Sequence, residues 1–103
     1  MVQTPRDAIE TEFVSYYNGD EMPAAEDLDV AERAAGSAMR IRELAGDEGA
    51  GGAAALLREM AEDRGHPLTT RIVDTSLYDW TGDEESWHAF QRLVRTIADE
   101  LER

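Results

Sequence analysis

Large apolar residues are scarce in this sequence, and their scarcity is the strongest constraint on what the chain can fold into. Leucine, isoleucine, valine and phenylalanine account for 19 of the 103 residues, whereas alanine alone accounts for 15. Such a composition, combined with a strong net charge, lies within the range of disordered proteins. Because the chain also carries clear helical patterns, we expect an ordered fold. We expect its stability to depend on a partner, on self-association or on salt.

The chain is strongly acidic. Aspartate and glutamate number 23 against 10 basic residues, all of them arginine, and the formal net charge is −13. Direct binding to nucleic acid is disfavoured, because proteins that neutralise phosphates present positive faces. The same acidity suits a cell with high internal salt, so the charge has either an environmental or a functional origin.

Length and composition point to one domain without a membrane anchor. Cysteine is absent, which excludes a disulfide framework and thiolate chemistry. No apolar run is long enough to cross a bilayer, and the first residues lack the pattern of a secretion signal. We therefore expect a single acidic helical domain over residues 1–103, cytoplasmic and without a cofactor.

The first helix is predicted over about residues 5–17. Thr4 is a suitable cap, and Pro5 suits the first helical position. Apolar residues follow at helical spacing: Ile9, Phe13, Tyr16 and Tyr17. Asn18-Gly19 is expected to end the helix, and an acidic connector with Pro23 follows over residues 20–27.

The middle of the chain predicts two helices joined by glycines. The second helix is expected from about Ala24 or Asp27 to Ala45, and its apolar half is mostly alanine, which suits a central, closely packed position. Four glycines within residues 46–52 predict a flexible connection. A third helix is expected from about Ala53 to Arg64.

Leu68–Val73 is the one strand-like run, because it is rich in β-branched residues. A lone strand is not stable, so this run pairs with Leu77–Trp80 as a hairpin, pairs with a second copy, or forms an extended loop. The predicted fold class is therefore mainly α: a small four-helix domain with one short extended or β segment at about residues 68–80.

The fourth helix, from about Asp83 to Leu101, has the clearest amphipathic pattern. Its apolar stripe consists of Trp87, Phe90, Val94, Ile97 and Leu101. The second helix offers mostly alanine to cover it. We therefore predict that the stripe is an interaction surface, most simply in a homodimer that also pairs the unpartnered strand, with a different protein partner as the alternative cover.

Tyr78–His88 reads YDWTGDEESWH and combines acidic residues, two tryptophans and a histidine. Thr81 and Glu84 match a capping box, so the acidic residues are explained by the start of the fourth helix, with Trp80 covering the helix entrance. The alternative is a metal site, since Glu85 and His88 have the i, i+3 spacing of di-iron bundle proteins. Such a site needs a second pair, and the other histidine, His66, lies beside a proline.

The remaining chemistry is limited to one small basic spot. Arg64, His66 and Arg71 lie close in sequence and form a possible anion contact. No residues form a recognisable nucleophile or cofactor loop, so we expect that the protein is not an enzyme.

These patterns favour a non-catalytic accessory or regulatory protein that acts through protein contacts. One alternative is an acidic inhibitor that mimics nucleic acid and occupies the basic groove of a nucleic-acid-handling protein. Another is a small metal-binding enzyme that uses Glu85 and His88.

Overall fold

Four helices make up the described part of the chain. The computed structural model describes residues 2–17, 29–76 and 79–103. The helices are α1 (Pro5–Tyr16), α2 (Val30–Glu62), α3 (Pro67–Ser76) and α4 (Glu84–Leu101), and the described ranges contain no strand. The prediction of a small four-helix domain is confirmed. No helix among these residues combines the length and the apolar character that crossing a membrane requires.

The start of α1 agrees with the prediction, whereas Tyr16, a residue of the predicted apolar stripe, is 53% exposed. The Thr4 hydroxyl accepts a hydrogen bond from the backbone N–H of Asp7 at 3.1 Å, and Pro5 occupies the first turn. The buried face of α1 contains Ala8, Ile9, Glu12 and Phe13. The predicted stop at Asn18-Gly19 and the connector over residues 20–27 lie outside the described residues.

The predicted second and third helices are two halves of α2, and the prediction of a connection over residues 46–52 is wrong in its extent. Gly46 alone leaves the helical conformation, with φ 80° and ψ 165°, and the helix resumes at once. Glycine is required here because a side chain is strained at positive φ. The sequence therefore located the break but not its length.

Two of the other glycines in this region serve close packing. A Cβ at Gly52 would lie 3.1 Å from Pro5 Cγ, and a Cβ at Gly49 would lie 2.9 Å from the Ala45 Cβ. The start of α1 therefore lies directly against the second half of α2. Gly51, by contrast, faces open space.

The N-terminal residues dock at the break in α2. The backbone N–H of Gln3 donates to the carbonyl of Leu44 at 2.7 Å. Val2 lies beside Gly46, where an added Cβ would meet Val2 Cγ1 at 3.3 Å. A break in a helix leaves carbonyls without intrahelical partners, and the N-terminal segment supplies one of the missing donors.

The expected extended segment at 68–80 is corrected, because Leu68–Val73 lies within α3. His66 holds the start of this helix: its Nδ1 accepts from Leu68 N at 3.1 Å, and its carbonyl accepts from Thr70 N at 3.0 Å. Leu68 and Ile72, four residues apart, are both buried. The β-branched run suggested a strand. Strand propensity depends on context, however, and the burial of one helical face overrides it here.

The N-cap of α4 lies two residues beyond the predicted cap, Thr81. Asp83 caps the helix, and its Oδ1 accepts from Ser86 N at 2.8 Å. Thr81 instead donates through both its backbone N–H and its hydroxyl to Asp79 Oδ1, each at 2.9 Å. Trp80 is fully buried, with its ring centroid 5.5 Å from that of Phe90, and it closes the core near the start of α4.

The apolar stripe of α4 belongs to the core of its own chain, which corrects its prediction as an interaction surface. The five residues are between 0% and 7% exposed: Trp87, Phe90, Val94, Ile97 and Leu101. The helix packs mainly along α2, whose buried residues are largely alanine. Small side chains let the two helices approach closely, so the stripe is covered without a second chain.

Polar contacts join the same two helices at their margins. Arg42 Nη2 donates to the carbonyl of Leu101 at 2.6 Å, and Gln91 Nε2 donates to the carbonyl of Ala61 at 2.8 Å. With the stripe covered and the strand replaced by a helix, both arguments for the predicted homodimer are removed.

Gly51→Ala is expected to raise the free energy of unfolding by about 0.5–1 kcal/mol, because alanine stabilises an exposed helix interior relative to glycine. Gly52→Ala is the matched control: the same exchange one residue later meets Pro5 and should give no gain. Urea denaturation of both variants measures the difference. Equal gains at both positions would show that α1 does not press against α2 at Gly52.

Candidate functional site

The residues that the sequence offered for a metal site do not converge. Glu85 and His88 are exposed on the first turns of α4, and His88 Nε2 lies 3.7 Å from Glu84 Oε2. Within the described ranges, no three His, Cys, Asp or Glu residues are grouped so that they could hold a metal ion.

The three residues of the possible anion contact have separate acidic or carbonyl partners. Arg64 pairs with Glu84 at 2.6 Å and donates to the carbonyl of Thr81 at 2.9 Å, and its hydrogen bond lowers the pKa of the Glu84 carboxyl. Arg71 pairs with Glu10 on α1. His66 caps α3 through Nδ1, and its Nε2 lies 4.0 Å from Glu59 Oε2. Anion binding by this trio stays a prediction.

The polar cluster that sequence reasoning missed lies between α1 and the first half of α2. Glu12, on α1, is 1% exposed. Its Oε2 accepts from Arg40 Nη2 at 2.7 Å and from the Ser37 hydroxyl at 2.7 Å, and its Oε1 accepts from Arg40 Nε at 2.8 Å. A buried carboxylate needs such compensation, because an unpaired charge in the interior is strongly destabilising.

The cluster continues to the end of α1. The Tyr17 hydroxyl lies 2.6 Å from the Ser37 hydroxyl and 3.4 Å from the carbonyl of Arg33, to which it donates. Burial raises the pKa of the Tyr17 phenol, although the hydrogen bond with Ser37 opposes part of that rise. The hydrogen bond with Glu12 raises the pKa of the Arg40 guanidinium.

A sequence signal for Glu12 existed. It lies three residues after Ile9 and one before Phe13, so helical spacing places it on the apolar stripe of α1. A carboxylate on such a stripe indicates a buried charge that needs a cationic partner. Which of the ten arginines supplies that partner depends on how α1 packs against α2.

Arg40 also connects the buried cluster to the surface. Its guanidinium carbon lies 4.0 Å from the centroid of the Tyr16 ring, within cation–π distance. Gly36 lies next to the same guanidinium, since a Cβ there would lie 3.4 Å from Arg40 Nη1, in ordinary van der Waals contact. Tyr16 is 53% exposed, and Met39, the residue before Arg40, is 59% exposed.

Two cavities lie on either side of the exposed face of α1. The first, of about 270 Å³, lies between α1 and the first half of α2 and is lined by Thr11, Glu12, Ser15, Tyr16, Arg40, Glu43 and Leu44. The second, of the same volume, lies between α1 and α3 and is lined by Glu10, Thr11, Val14, Ser15, Arg71 and Thr75. We call them the α1–α2 cavity and the α1–α3 cavity.

Comparisons with models of protein families, with curated proteins and with solved structures found no match for this chain.

Arg40→Met is expected to lower the free energy of unfolding by about 2–3 kcal/mol, because it leaves the Glu12 carboxylate buried without its cation. Adding Glu12→Gln to that variant should restore part of the loss. Arg58→Met is the control, since Arg58 pairs with Asp99 at the surface and such pairs contribute about 0.5 kcal/mol. If urea denaturation shows the same loss of unfolding free energy for Arg40→Met and Arg58→Met, the buried ion pair contributes no more than a surface pair.

Tyr17 should make the fold sensitive to alkaline pH. Because its pKa is raised in the folded state, its contribution is complete below about pH 10, where the unfolded phenol is still protonated, and is lost as pH rises through the folded value. Tyr17→Phe should therefore flatten the decline of stability that begins near about pH 10, measured by urea denaturation at each pH. An unchanged decline would contradict this assignment.

Proposed function

We propose that the protein is a non-catalytic accessory or regulatory protein that binds another protein through the surface formed by Tyr16, Met39 and Arg40, here called the α1–α2 patch. Tyrosine, methionine and arginine are enriched in protein interfaces. The observation that carries the proposal is the exposure of Tyr16, whose ring lies against an arginine that is fixed from below, together with the exposure of Met39 one residue before that arginine on α2.

The fixed position of the Arg40 side chain favours the binding of a protein partner at this surface. An exposed arginine normally loses rotamer freedom when a partner immobilises it, at about 0.5–1.5 kcal/mol per side chain. Here Glu12 and the Tyr16 ring already hold the guanidinium. A partner that packs on the patch therefore meets a surface that is ordered in advance.

The buried carboxylate itself is occupied by structural contacts. Both oxygens of Glu12 accept hydrogen bonds, from Arg40 and Ser37. This network supports a structural role for Glu12 and a contact role for the exposed residues above it.

A second candidate function, the nucleic-acid mimic, is favoured by the distribution of charge. Among the described residues, seven of the ten arginines form ion pairs with carboxylates: Arg40, Arg42, Arg58, Arg64, Arg71, Arg95 and Arg103. Several exposed carboxylates make no ion pair in the described ranges, among them Asp7, Glu32, Glu43, Glu48, Asp74 and Glu85. They occur on all four helices and could face a basic groove.

A comparison of three baits tests the proposal. Wild type, a Tyr16→Ala/Met39→Ala double variant and a Val2→Ala variant are immobilised and exposed to extract of the source cells. Val2 is a matched control, because it is 64% exposed but lies at the break in α2. We expect one protein, identified by mass spectrometry, that wild type and Val2→Ala retain and the double variant loses. Equal retention by all three baits would overturn the assignment of the patch.

Salt separates the two candidate functions. An interface centred on aromatic and apolar side chains should persist between about 0.1 and 0.5 M sodium chloride, whereas a mimic that relies on many carboxylates should be released, because salt screens exposed charges. Displacement of the partner by duplex DNA would favour the mimic. Retention at high salt and in the presence of DNA would favour the accessory function.

A further inference from the structure

We infer that the α1–α2 cavity receives one cationic side chain, an arginine or a lysine, from the protein partner. This inference rests on the proposed function, since the cavity opens beside Tyr16 and Arg40 of the α1–α2 patch. It adds the chemical character of the partner: a basic residue presented beside an apolar contact.

The cavity offers an acceptor whose charge no described residue neutralises. The carboxylate of Glu43 is exposed and makes no ion pair in the described residues. The positive charge of Arg40 is opposed by Glu12, with Nη2 only 2.7 Å from Oε2. The cavity therefore carries about one net negative charge, that of Glu43, which favours a cation over an anion.

The remaining lining suits a long cationic side chain. The half-buried Leu44 provides an apolar wall for the methylene groups of arginine or lysine, which bury their stems while keeping the charged end near water. The hydroxyl of Ser15 can accept from a guanidinium or ammonium group. The formal net charge of −13 further raises the local concentration of cationic groups.

The α1–α3 cavity provides an internal comparison of the same volume. The acidic residue in its lining, Glu10, pairs with Arg71 in the same lining. It therefore lacks the unneutralised carboxylate that distinguishes the α1–α2 cavity. Of the two cavities, the α1–α2 cavity is the one suited to a cation.

The test uses a fluorescein-labelled peptide of alternating arginine and leucine, with a citrulline version as the uncharged control. Glu43→Gln and Glu48→Gln each remove one exposed negative charge from α2, so they change the overall field equally. Glu48 does not line the cavity. We expect Glu43→Gln to weaken binding of the arginine peptide about five- to tenfold and Glu48→Gln less than about twofold, because only Glu43 can make a charge-assisted hydrogen bond inside the cavity.

Amide shifts in nitrogen–proton correlation spectra locate the peptide. Shifts centred on Ser15, Tyr16 and Glu43 support the assignment, and shifts centred on Arg71 and Thr75 overturn it. Equal weakening by the two glutamine variants, or no binding of the peptide at all, also overturns it. Neither result affects the bait comparison, which depends on Tyr16 and Met39, so failure of this inference is distinguishable from failure of the proposed function.

The alternative occupant is a second copy of the chain. Sedimentation equilibrium of wild type and Glu43→Gln tests it at micromolar concentration. A wild-type monomer supports the assignment to a different protein. A wild-type dimer that Glu43→Gln dissociates would show that the cavity receives a basic residue of another copy, and would overturn it.

Discussion

The ion pair between Glu12 and Arg40 is the interaction on which the arrangement of the first two helices depends. A carboxylate that is 1% exposed can remain ionised in the interior only if a cation and further donors surround it. Arg40 and Ser37 of α2 provide them, and this fixes both the rotation of α1 and its height along α2. Such a pair contributes less to net stability than to the choice of one packing over others.

The second constraint is the shortage of large apolar side chains, which the fold meets by bringing helices close together. Alanine lines the buried face of α2 where α4 packs, and Gly52 admits Pro5 of α1. Close backbone approach increases the number of contacts each remaining large residue makes, and dense packing is what stabilises a protein interior. The aromatic rings of Phe13, Trp80 and Phe90 then fill the space that alanine leaves.

The surface carries an excess of negative charge. Most arginines pair with carboxylates of their own chain, so the excess of acidic residues is left exposed. Arg40 differs because it joins a buried carboxylate to an exposed tyrosine ring. An ordered arginine against the exposed Tyr16 ring, with Glu43 in the adjoining cavity making no ion pair among the described residues, is the part of this surface best suited to select a partner.

Local sequence determined the features whose causes are local. The cap at Thr4, the break at Gly46 and the apolar stripe of α4 follow from hydrogen bonding, positive φ and helical spacing within a few residues. Tertiary structure decided the rest. Residues 67–76 are helical although their β-branched run favoured a strand, and the α4 stripe is covered by α2 instead of a second chain. The Glu12 site could be suspected from its place on an apolar stripe, but its partner could not be named. Burial and ion pairing join residues distant in sequence, and they are defined only once the helices are packed.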